Sequence, residues 1–471
     1  MMNPISAAAN RISTFFASGY DAVKTSGKRK AASPVLKTED DELKGRDRHS
    51  MVGTTRDLAR NFALVSWAIR KHLDYVSRFD FQMRTESDLL NAQIETLMEE
   101  WQRPNNGDAA GRHSFSRMLR LFEACRTKDG DVFALKLQSG QLQAIEGDRI
   151  RQPDANSGVN LDGNWINGVR VNAAGAAAEY ALFDRAGDGR FEFNRAVQAS
   201  RLIQHGYFER FDQVRGISPL AAAVNSFRDV YEGIDYALAK MKVEQLFALV
   251  FYRDANESVA PLTEGSSEAN GYSVDFGKGP VQLDLDPGDK AEFLKSDSPG
   301  NSTQQFINVV LSIAMKALDL PFNFYDEAHT NFFGSRSAWL LYDRSCQSKR
   351  DDVVEFLRKI TVWLLQQWII NGQLNLPEGM TIRDLTFEWV PQGMPWWDPV
   401  KEINGSVAAI KAGLDNPYRI CKETGRGEFE ENVDQIAKAQ AYASSKGVNL
   451  EYVMQQVVEV PPEPNNSRGR A

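Results

Sequence analysis

Cysteine and histidine are scarce in this 471-residue chain, and their spacing does not suit a bound metal ion. The three cysteines, Cys125, Cys346 and Cys421, are far apart, odd in number and outside any CxxC pattern. They are typical of reduced thiols in a cytosolic protein rather than of a disulfide framework. The five histidines include no HxxxH or HExxH spacing, which argues against a metal site built from histidine. We expect no metal and no cofactor.

Long apolar runs and an excess of positive charge are also missing. No uninterrupted apolar stretch approaches the roughly 18 residues that cross a bilayer, and no charged-then-apolar signal pattern follows the first methionine, so we expect a cytoplasmic protein without a membrane partner. The formal net charge is −8 and the pI is about 5.4. Proteins that coat DNA are usually strongly basic, so this balance argues against simple DNA coating.

The motifs of nucleotide hydrolysis and calcium binding are incomplete. A phosphate-binding loop needs GxxxxGK[ST], and Gly27-Lys28 lacks the first glycine at the required distance. The stretch 184–189 is similar to a calcium loop, but Ala186 and Arg195 occupy ligand positions, so we expect a tight β-turn there. The sequence therefore indicates neither an ATPase nor a calcium-binding protein.

What is present is a mixture of helical and strand-like segments of ordinary hydrophobic content, 42%. Short β-branched or aromatic runs between residues 113 and 215 predict strands. Ser218, as N-cap, and Pro219, at the first helical position, predict the start of a long helix that continues to Phe251. Further helices are predicted over 303–320 and up to Gly372. This order predicts an α+β protein of two or three domains.

An acid-rich insert, 254–300, separates the first two of these helices. It contains ten acidic residues and only three basic ones, with a fourth, Arg253, directly before it. Asp284, Asp286 and Asp289 have the spacing of residues on a strand, so a solvated hairpin edge is favoured over a two-metal nuclease site. The nuclease remains an alternative.

Several phrases recur in the order in which they occur in portal proteins of tailed bacteriophages, particularly the lambda-type branch. The phrases are Thr55–Asn61, Leu142–Ile150 with Pro153, Asn167–Val169 with Tyr180–Leu182, Arg210–Leu220, and Trp389 with Asp398-Pro399 and Lys401-Glu402. The most specific is Arg210–Leu220, which holds Arg215, Gly216, Ser218 and Pro219 as a structural motif before the long helix. The chain thus resembles a phage portal protein from about residue 55 to 410.

The resemblance implies an α+β portal fold with a mixed α/β wing, long stem helices, a small α/β clip and a helical crown. The implied domains are a flexible N-terminal arm (1–53), the first part of the wing (54–219), a stem helix (220–252), the clip (253–301), a second stem helix (302–321), a tunnel loop (322–336), a long wing helix (337–373), a wing return strand and connector (374–404), the crown (405–458) and a disordered tail (459–471).

It also implies where functional residues would lie. The tunnel loop facing DNA would present His329, Asn331, Phe332, Phe333 and Arg336. Phe332 and Phe333 would either contact DNA or pack between neighbouring subunits. The clip that docks the packaging motor would present Asp275, Asp284, Asp286 and Asp289.

The implied function is a ring at the capsid vertex that conducts double-stranded DNA during packaging and ejection, docks the terminase and then joins head to tail. The implied partners are further copies of the chain, in a dodecamer, DNA without sequence specificity, the terminase large subunit, head-completion or adaptor proteins, and the major capsid and scaffold proteins. The ring would be assembled in the host cytoplasm, reside in the virion and hydrolyse nothing itself. The alternatives are a metal-dependent DNA-processing enzyme and a related adaptor or minor capsid protein.

Overall fold

Helices and short antiparallel sheets alternate along the chain, so the architecture is α+β, as the sequence predicts. The computed structural model describes residues 35–43, 45–159, 161, 163–187, 189–246, 249–253, 289–293, 301–325, 332–392, 399–424, 426–448 and 450. In these residues the α-helices are α1 (Glu39–Glu42), α2 (Gly45–Asn61), α3 (Ala63–Val76), α4 (Asp88–Trp101), α5 (Pro104–Gly107), α6 (Phe115–Asp129), α7 (Val224–Leu246), α8 (Asn301–Ala314), α9 (Phe332–Ile370), α10 (Pro399–Lys411), α11 (Pro417–Thr424) and α12 (Phe429–Ser445). The strands are β1 (Phe79–Met83), β2 (Asp131–Lys136), β3 (Leu142–Glu146), β4 (Trp165–Ile166), β5 (Val169–Val171), β6 (Ala177–Arg185), β7 (Phe191–Gln198), β8 (Leu202–Gly206), β9 (Leu249–Arg253), β10 (Asp289–Phe293) and β11 (Phe387–Pro391).

The chain forms two units. The small unit contains the described residues up to 50, together with 148–200 and 208–216, and the large unit contains the rest. The small unit is built on an antiparallel sheet with the strand order β4-β5-β6-β7. Strands β6 and β7 form a hairpin whose turn is closed by the Ala186 amide, which donates to the Arg190 carbonyl. This confirms the turn that the sequence predicts there.

The large unit is organised around the three-stranded antiparallel sheet β3-β2-β8. Strand β2 is central and almost wholly buried because helix α6 covers it. Helix α6 begins at an N-cap, Ser114, whose hydroxyl accepts from the Arg117 amide, and it ends at Gly130 with φ of +94°. A second sheet pairs β1 with β11, so residues from the two ends of the large unit meet in one ladder.

Helix α9 is 39 residues long, about 58 Å at the usual rise per residue. Its core-facing side includes Val353, Leu357 and Leu364, each fully buried. The helix stops at Gly372, where φ is +70° and the Gln373 amide donates to the Trp368 carbonyl. This is the glycine C-cap that the sequence predicts.

Several predicted boundaries differ from the structure. The helix predicted to run to Phe251 is a 3-10 turn, Pro219–Ala223, followed by α7, and Phe251 lies in β9. The residues Val250, Phe251 and Tyr252 favour a strand, and they pair with β10 in an antiparallel ladder. The second predicted helix, 303–320, is α8 followed by a 3-10 turn, Met315–Leu318.

The tunnel loop predicted over 322–336 and the flexible arm predicted over 1–53 are both shorter in the structure. Helix α9 begins at Phe332 rather than at 337, directly after the cap-favouring types Thr330 and Asn331 in the sequence. The predicted arm, 1–53, includes α1 and the beginning of α2. In this segment Asp40 accepts from the Val214 amide at 2.6 Å, and a guanidinium nitrogen of Arg48 donates to the Gly216 carbonyl at 2.6 Å. The predicted clip hairpin within 254–288 and the tail 459–471 lie outside the described residues.

Candidate functional site

The 3-10 turn that leads into α7 is capped by a buried serine. The Ser218 hydroxyl accepts from the Leu220 amide at 3.1 Å and donates to the Thr127 carbonyl, the last turn of α6, at 2.6 Å. Pro219 occupies the first position of the 3-10 turn, where a missing amide hydrogen costs nothing. Ser218 therefore caps one helix and ties it to another.

Arg215 and Gly216, from the same phrase, lie in the small unit and serve its packing. Arg215 is 1% exposed, and its Nη1 donates to the carbonyls of Ile150 at 2.9 Å and Asn167 at 2.6 Å. The Gly216 carbonyl is the acceptor for Arg48. Arg215 and Gly216 thus both make hydrogen bonds within the small unit.

Helices α7 and α8, the two predicted stem helices, pack on each other, and α8 is apolar on two sides. Leu311 of α8 is buried in the core of the large unit. On the other side Phe306, Val309 and Ile313 are 68%, 55% and 62% exposed. Their spacing of three and four residues puts them on one face, which we call the outer stripe of α8. Contiguous exposed apolar side chains of this kind mark contact surfaces.

The residues predicted to face DNA are only partly described. Arg336 lies in the second turn of α9, and its Nη2 is 4.0 Å from a carboxylate oxygen of Glu402 in α10. Phe332 and Phe333 form the beginning of α9, so they are helical rather than part of a loop. His329 and Asn331 lie outside the described residues.

Of the predicted clip residues, the structure describes the backbone of Asp289. It is the first residue of β10 and is paired with Arg253 of β9. The other three, Asp275, Asp284 and Asp286, lie outside the described residues. The base of the acid-rich insert is thus a two-stranded antiparallel ladder.

Sequence patterns did not indicate a buried ionic cluster in the large unit. The Glu123 carboxylate, fully buried on α6, lies 3.0 Å from Nε2 of His72 on α3 and 3.0 Å from Nε2 of His205 on β8. Tyr207 donates its hydroxyl hydrogen to Glu123 at 3.1 Å. Arg126, one turn further along α6, lies 3.2 Å from Glu123 and stacks over the Tyr207 ring. The one feature of the sequence that could have indicated this cluster is the i, i+3 spacing of Glu123 and Arg126 on α6.

Burial and charge set the protonation of this cluster. Burial alone would raise the pKa of Glu123, but the charge of Arg126 and hydrogen bonds from His205 and His72 outweigh it, and the pKa lies well below its usual value. Burial lowers the pKa of His72 and of His205. Burial and the Glu123 charge raise the pKa of Tyr207 well above its usual value. The cluster thus holds one carboxylate and one guanidinium between two neutral imidazoles.

Neither a metal cluster nor a membrane span is found in the residues that the structure describes. In that part of the chain, histidine, cysteine, aspartate and glutamate nowhere gather in threes in a way that could hold a metal ion. No helix there combines the length and the hydropathy that a membrane span requires.

Known proteins similar to this chain point to one family. The profile of the family described as phage portal protein, lambda family, matches residues 26–350, well over half of the chain. A probable portal protein of Halomonas phage phiHAP-1 is 23% identical over 385 residues, which cover 72% of this chain and 68% of the relative.

The fold has a counterpart among solved structures. A chain in the neck of an empty GTA particle, computed with C6 symmetry, superposes with a TM-score of 0.51 at 12% identity, over 81% of this chain and 94% of that one. The family match and this shared fold agree with the resemblance carried by the phrases from Thr55 to Glu402. The chain belongs to the lambda family of phage portal proteins, and its role is that of a portal, a head–tail connector of the virion.

Proposed function

We propose that copies of this chain assemble into a ring, a dodecamer in the particle, that conducts double-stranded DNA at the capsid vertex. In this proposal the ring docks the terminase large subunit during packaging. It then binds head-completion or adaptor proteins and lies among the major capsid and scaffold proteins. Membership of the portal family supports the proposal.

The observation that carries it is the outer stripe of α8. A helix with two apolar sides needs a partner on each of them, yet Phe306, Val309 and Ile313 remain exposed in the single chain. The residues before them, Thr303 to Gln305, are exposed and polar. Neighbouring copies that cover the stripe would bury it in the ring, with the stem helices side by side around the axis.

Electron microscopy of the purified protein tests the proposal directly. Axial views should show rings with a central hole, and their symmetry gives the subunit number. Introducing two charges into the stripe, Phe306→Glu with Ile313→Glu, should abolish rings, because charge in an apolar interface loses its hydration. The matched control Gln305→Glu adds charge to an exposed position of the same helix and should leave rings intact. Rings from the double variant, or single subunits from the wild type, would contradict the proposal.

A second part of the proposal concerns charge. A channel that conducts DNA must not bind it tightly. Each protein cation that neutralises a phosphate strengthens DNA binding steeply. A net charge of −8 per subunit is multiplied by the number of subunits in a ring. We place part of the acid-rich insert, including Asp275, Asp284, Asp286 and Asp289, at the bore or the motor-docking rim. Reversal of these charges to lysine should impair packaging or terminase binding, and unchanged packaging and binding would remove this part of the proposal.

The third part is that the ring performs no chemistry. The portal family is one of structural proteins, and force for packaging would come from the terminase. Incubation of purified rings with linear DNA and Mg²⁺ or Mn²⁺ should leave the DNA intact. Cleavage that is lost on mutation of Asp284 and Asp286 would favour the metal-dependent enzyme.

A further inference from the structure

The small unit exposes three large apolar side chains on two segments of its chain. Leu36, Phe208 and Phe211 are 94%, 48% and 113% exposed. We call these three side chains the Phe211 patch. Single exposed apolar side chains are common on protein surfaces, but several on adjoining segments mark a contact surface.

The two segments that carry the patch are held together by specific contacts. Nη1 of Arg210 donates to the Lys37 carbonyl at 3.2 Å and lies 3.4 Å from the Glu39 carboxylate. The buried carboxylate of Asp40 accepts from the Val214 amide at 2.6 Å. Residues 36–40 and 208–214 therefore form one surface that is built into the fold.

The chain that precedes this surface is suited to cover it. Thirty-four residues come before Val35, and apolar residues recur within them at helical spacing, at Ile12, Phe15, Phe16, Tyr20 and Val23. Steps of three and four residues predict an amphipathic helix with one apolar face. Residues 24–34, which connect this face to the described part of the small unit, are mostly polar, basic or small.

The charges of the two surfaces are complementary. Residues 1–34 contain five basic residues against one acidic residue, a formal charge of +4. Around the patch the exposed acidic side chains are Asp41, Glu42, Glu209 and Asp212. Attraction between the two would add to burial of the apolar faces and would weaken as salt rises.

The connection is long enough for the chain to return to its own surface. Eleven residues separate Val23 from Val35, and they span at most about 36–40 Å when extended. They include Ser26-Gly27 and Ser33-Pro34, residue pairs that favour turns. We propose that residues 12–23 dock as an amphipathic helix on the Phe211 patch of the same subunit.

Hydrogen–deuterium exchange of the full-length protein tests the docking. Peptides that cover 12–23 should exchange several-fold more slowly in the wild type than in Phe211→Asp, which puts a charge into the patch. The matched control is Leu161→Asp, an exposed leucine of the same unit that is 43% exposed and outside the patch. This control should keep the wild-type protection. Equal exchange of 12–23 in the wild type and in Phe211→Asp would overturn the proposal.

A second variant, in the docking segment, tests the proposal even if Phe211→Asp disturbs the fold of the small unit. Phe16→Asp leaves the patch intact and should release the protection of 12–23 just as strongly, while peptides of β6 keep their wild-type exchange. Slow exchange of 12–23 in Phe16→Asp would also count against the proposal.

Cross-linking identifies the subunit that supplies the segment. Phe15→Cys and Phe208→Cys in one chain should give an intramolecular cross-link with a short bis-maleimide, with the wild type and its three native cysteines as background. When the two substitutions are in differently tagged chains that are mixed before assembly, no cross-link between tags should form. A cross-link only between tags would assign the patch to a neighbouring copy and overturn the proposal. Hydrogen–deuterium exchange and the intramolecular cross-link do not require rings, so a failure of the docking is separate from a failure of the ring.

Discussion

Nη2 of Arg126 and Oδ2 of Asp352 lie 2.5 Å apart, and this ion pair joins the end of α6 to the middle of α9. The guanidinium is fully buried, whereas the aspartate is 57% exposed. The same guanidinium contacts Glu123, so one cation connects the ionic cluster of the large unit to its longest helix. The cluster is therefore a support for α9.

Removal of this cation should destabilise the large unit strongly. Arg126→Met leaves the Glu123 carboxylate buried without its guanidinium, and loss of one partner from a buried pair costs roughly 3–5 kcal/mol. Urea unfolding followed by tryptophan fluorescence measures the change. The control Arg358→Met, at an exposed pair with Glu355 on α9, should change the unfolding free energy by less than about 0.5 kcal/mol. Equal effects of the two variants would contradict this role.

The cluster should also make stability depend on pH. The pKa values of His72 and His205 are lower in the folded protein than the usual value of 6.5, so the unfolded chain binds more protons. The contribution of the two neutral imidazoles is then fully present above pH 6.5 and declines as the pH falls below it. Between pH 7.5 and 5.5 the urea midpoint should fall, and it should fall less in His205→Gln. An identical pH dependence in that variant would show that His205 does not carry the effect.

The hydrogen bond between Trp389 and Thr361 should contribute measurably to packing of β11 on α9. The indole nitrogen donates to the Thr361 hydroxyl at 3.0 Å, and both residues are buried. Thr361→Val keeps the shape but leaves the indole without its acceptor, a cost of about 1–3 kcal/mol. Thr361→Ser retains the hydroxyl and should lose less stability. Differential unfolding of the two variants checks this, and the reverse order would contradict it.

The Ser218 cap of the 3-10 turn that leads into α7 gives a further prediction. Ser218→Ala removes both the acceptor for the Leu220 amide and the donor to the Thr127 carbonyl, and we expect a loss of about 1–2 kcal/mol. The control Ser312→Ala, which removes an exposed hydroxyl bonded to the Val309 carbonyl, should cost less than about 0.5 kcal/mol. Thermal unfolding of both variants provides the comparison. If the cap contributed nothing, Ser218→Ala and Ser312→Ala would lose the same stability.

The beginning of α9 allows a test of DNA contact. If Phe332 and Phe333 touch DNA in the channel, their double alanine variant should still assemble but package or retain less DNA, because two aromatic surfaces are lost from the bore. Packaged length measured by pulsed-field electrophoresis gives the answer. Normal DNA retention would favour packing of both rings between neighbouring subunits.

Local signals predicted local structure well. Short β-branched or aromatic runs predicted strands between residues 113 and 215, where β2 to β8 lie. Residue types at caps predicted Ser218 as a helix start and Gly372 as a helix end. These features depend on interactions between residues a few positions apart. The family resemblance, carried by the order of short phrases, predicted the α+β fold and the portal family.

The features that could not be predicted from the sequence depend on contacts between residues far apart in the chain. Apolar periodicity continued past Leu246, but pairing with β10 makes Leu249–Arg253 a strand. Glu123 meets His72 and His205 across 51 and 82 residues, and no pattern along the chain records such a meeting. The exposed stripe of α8 likewise emerged only when the fold showed which of its apolar faces is buried.

The pairing of β1 with β11 determines when the large unit can finish folding during translation. Asp80 lies opposite Val390, and Phe81 packs on Phe387 and Trp389 at ring-centre distances of 5.9 and 5.1 Å. A chain on the ribosome cannot complete this ladder until residue 391 has been synthesised. Until then Phe81 cannot pack on Phe387 and Trp389. The helices α7 and α8, with their outer stripe, are made before that point. Each subunit therefore becomes complete only after the outer stripe of α8 has already emerged from the ribosome.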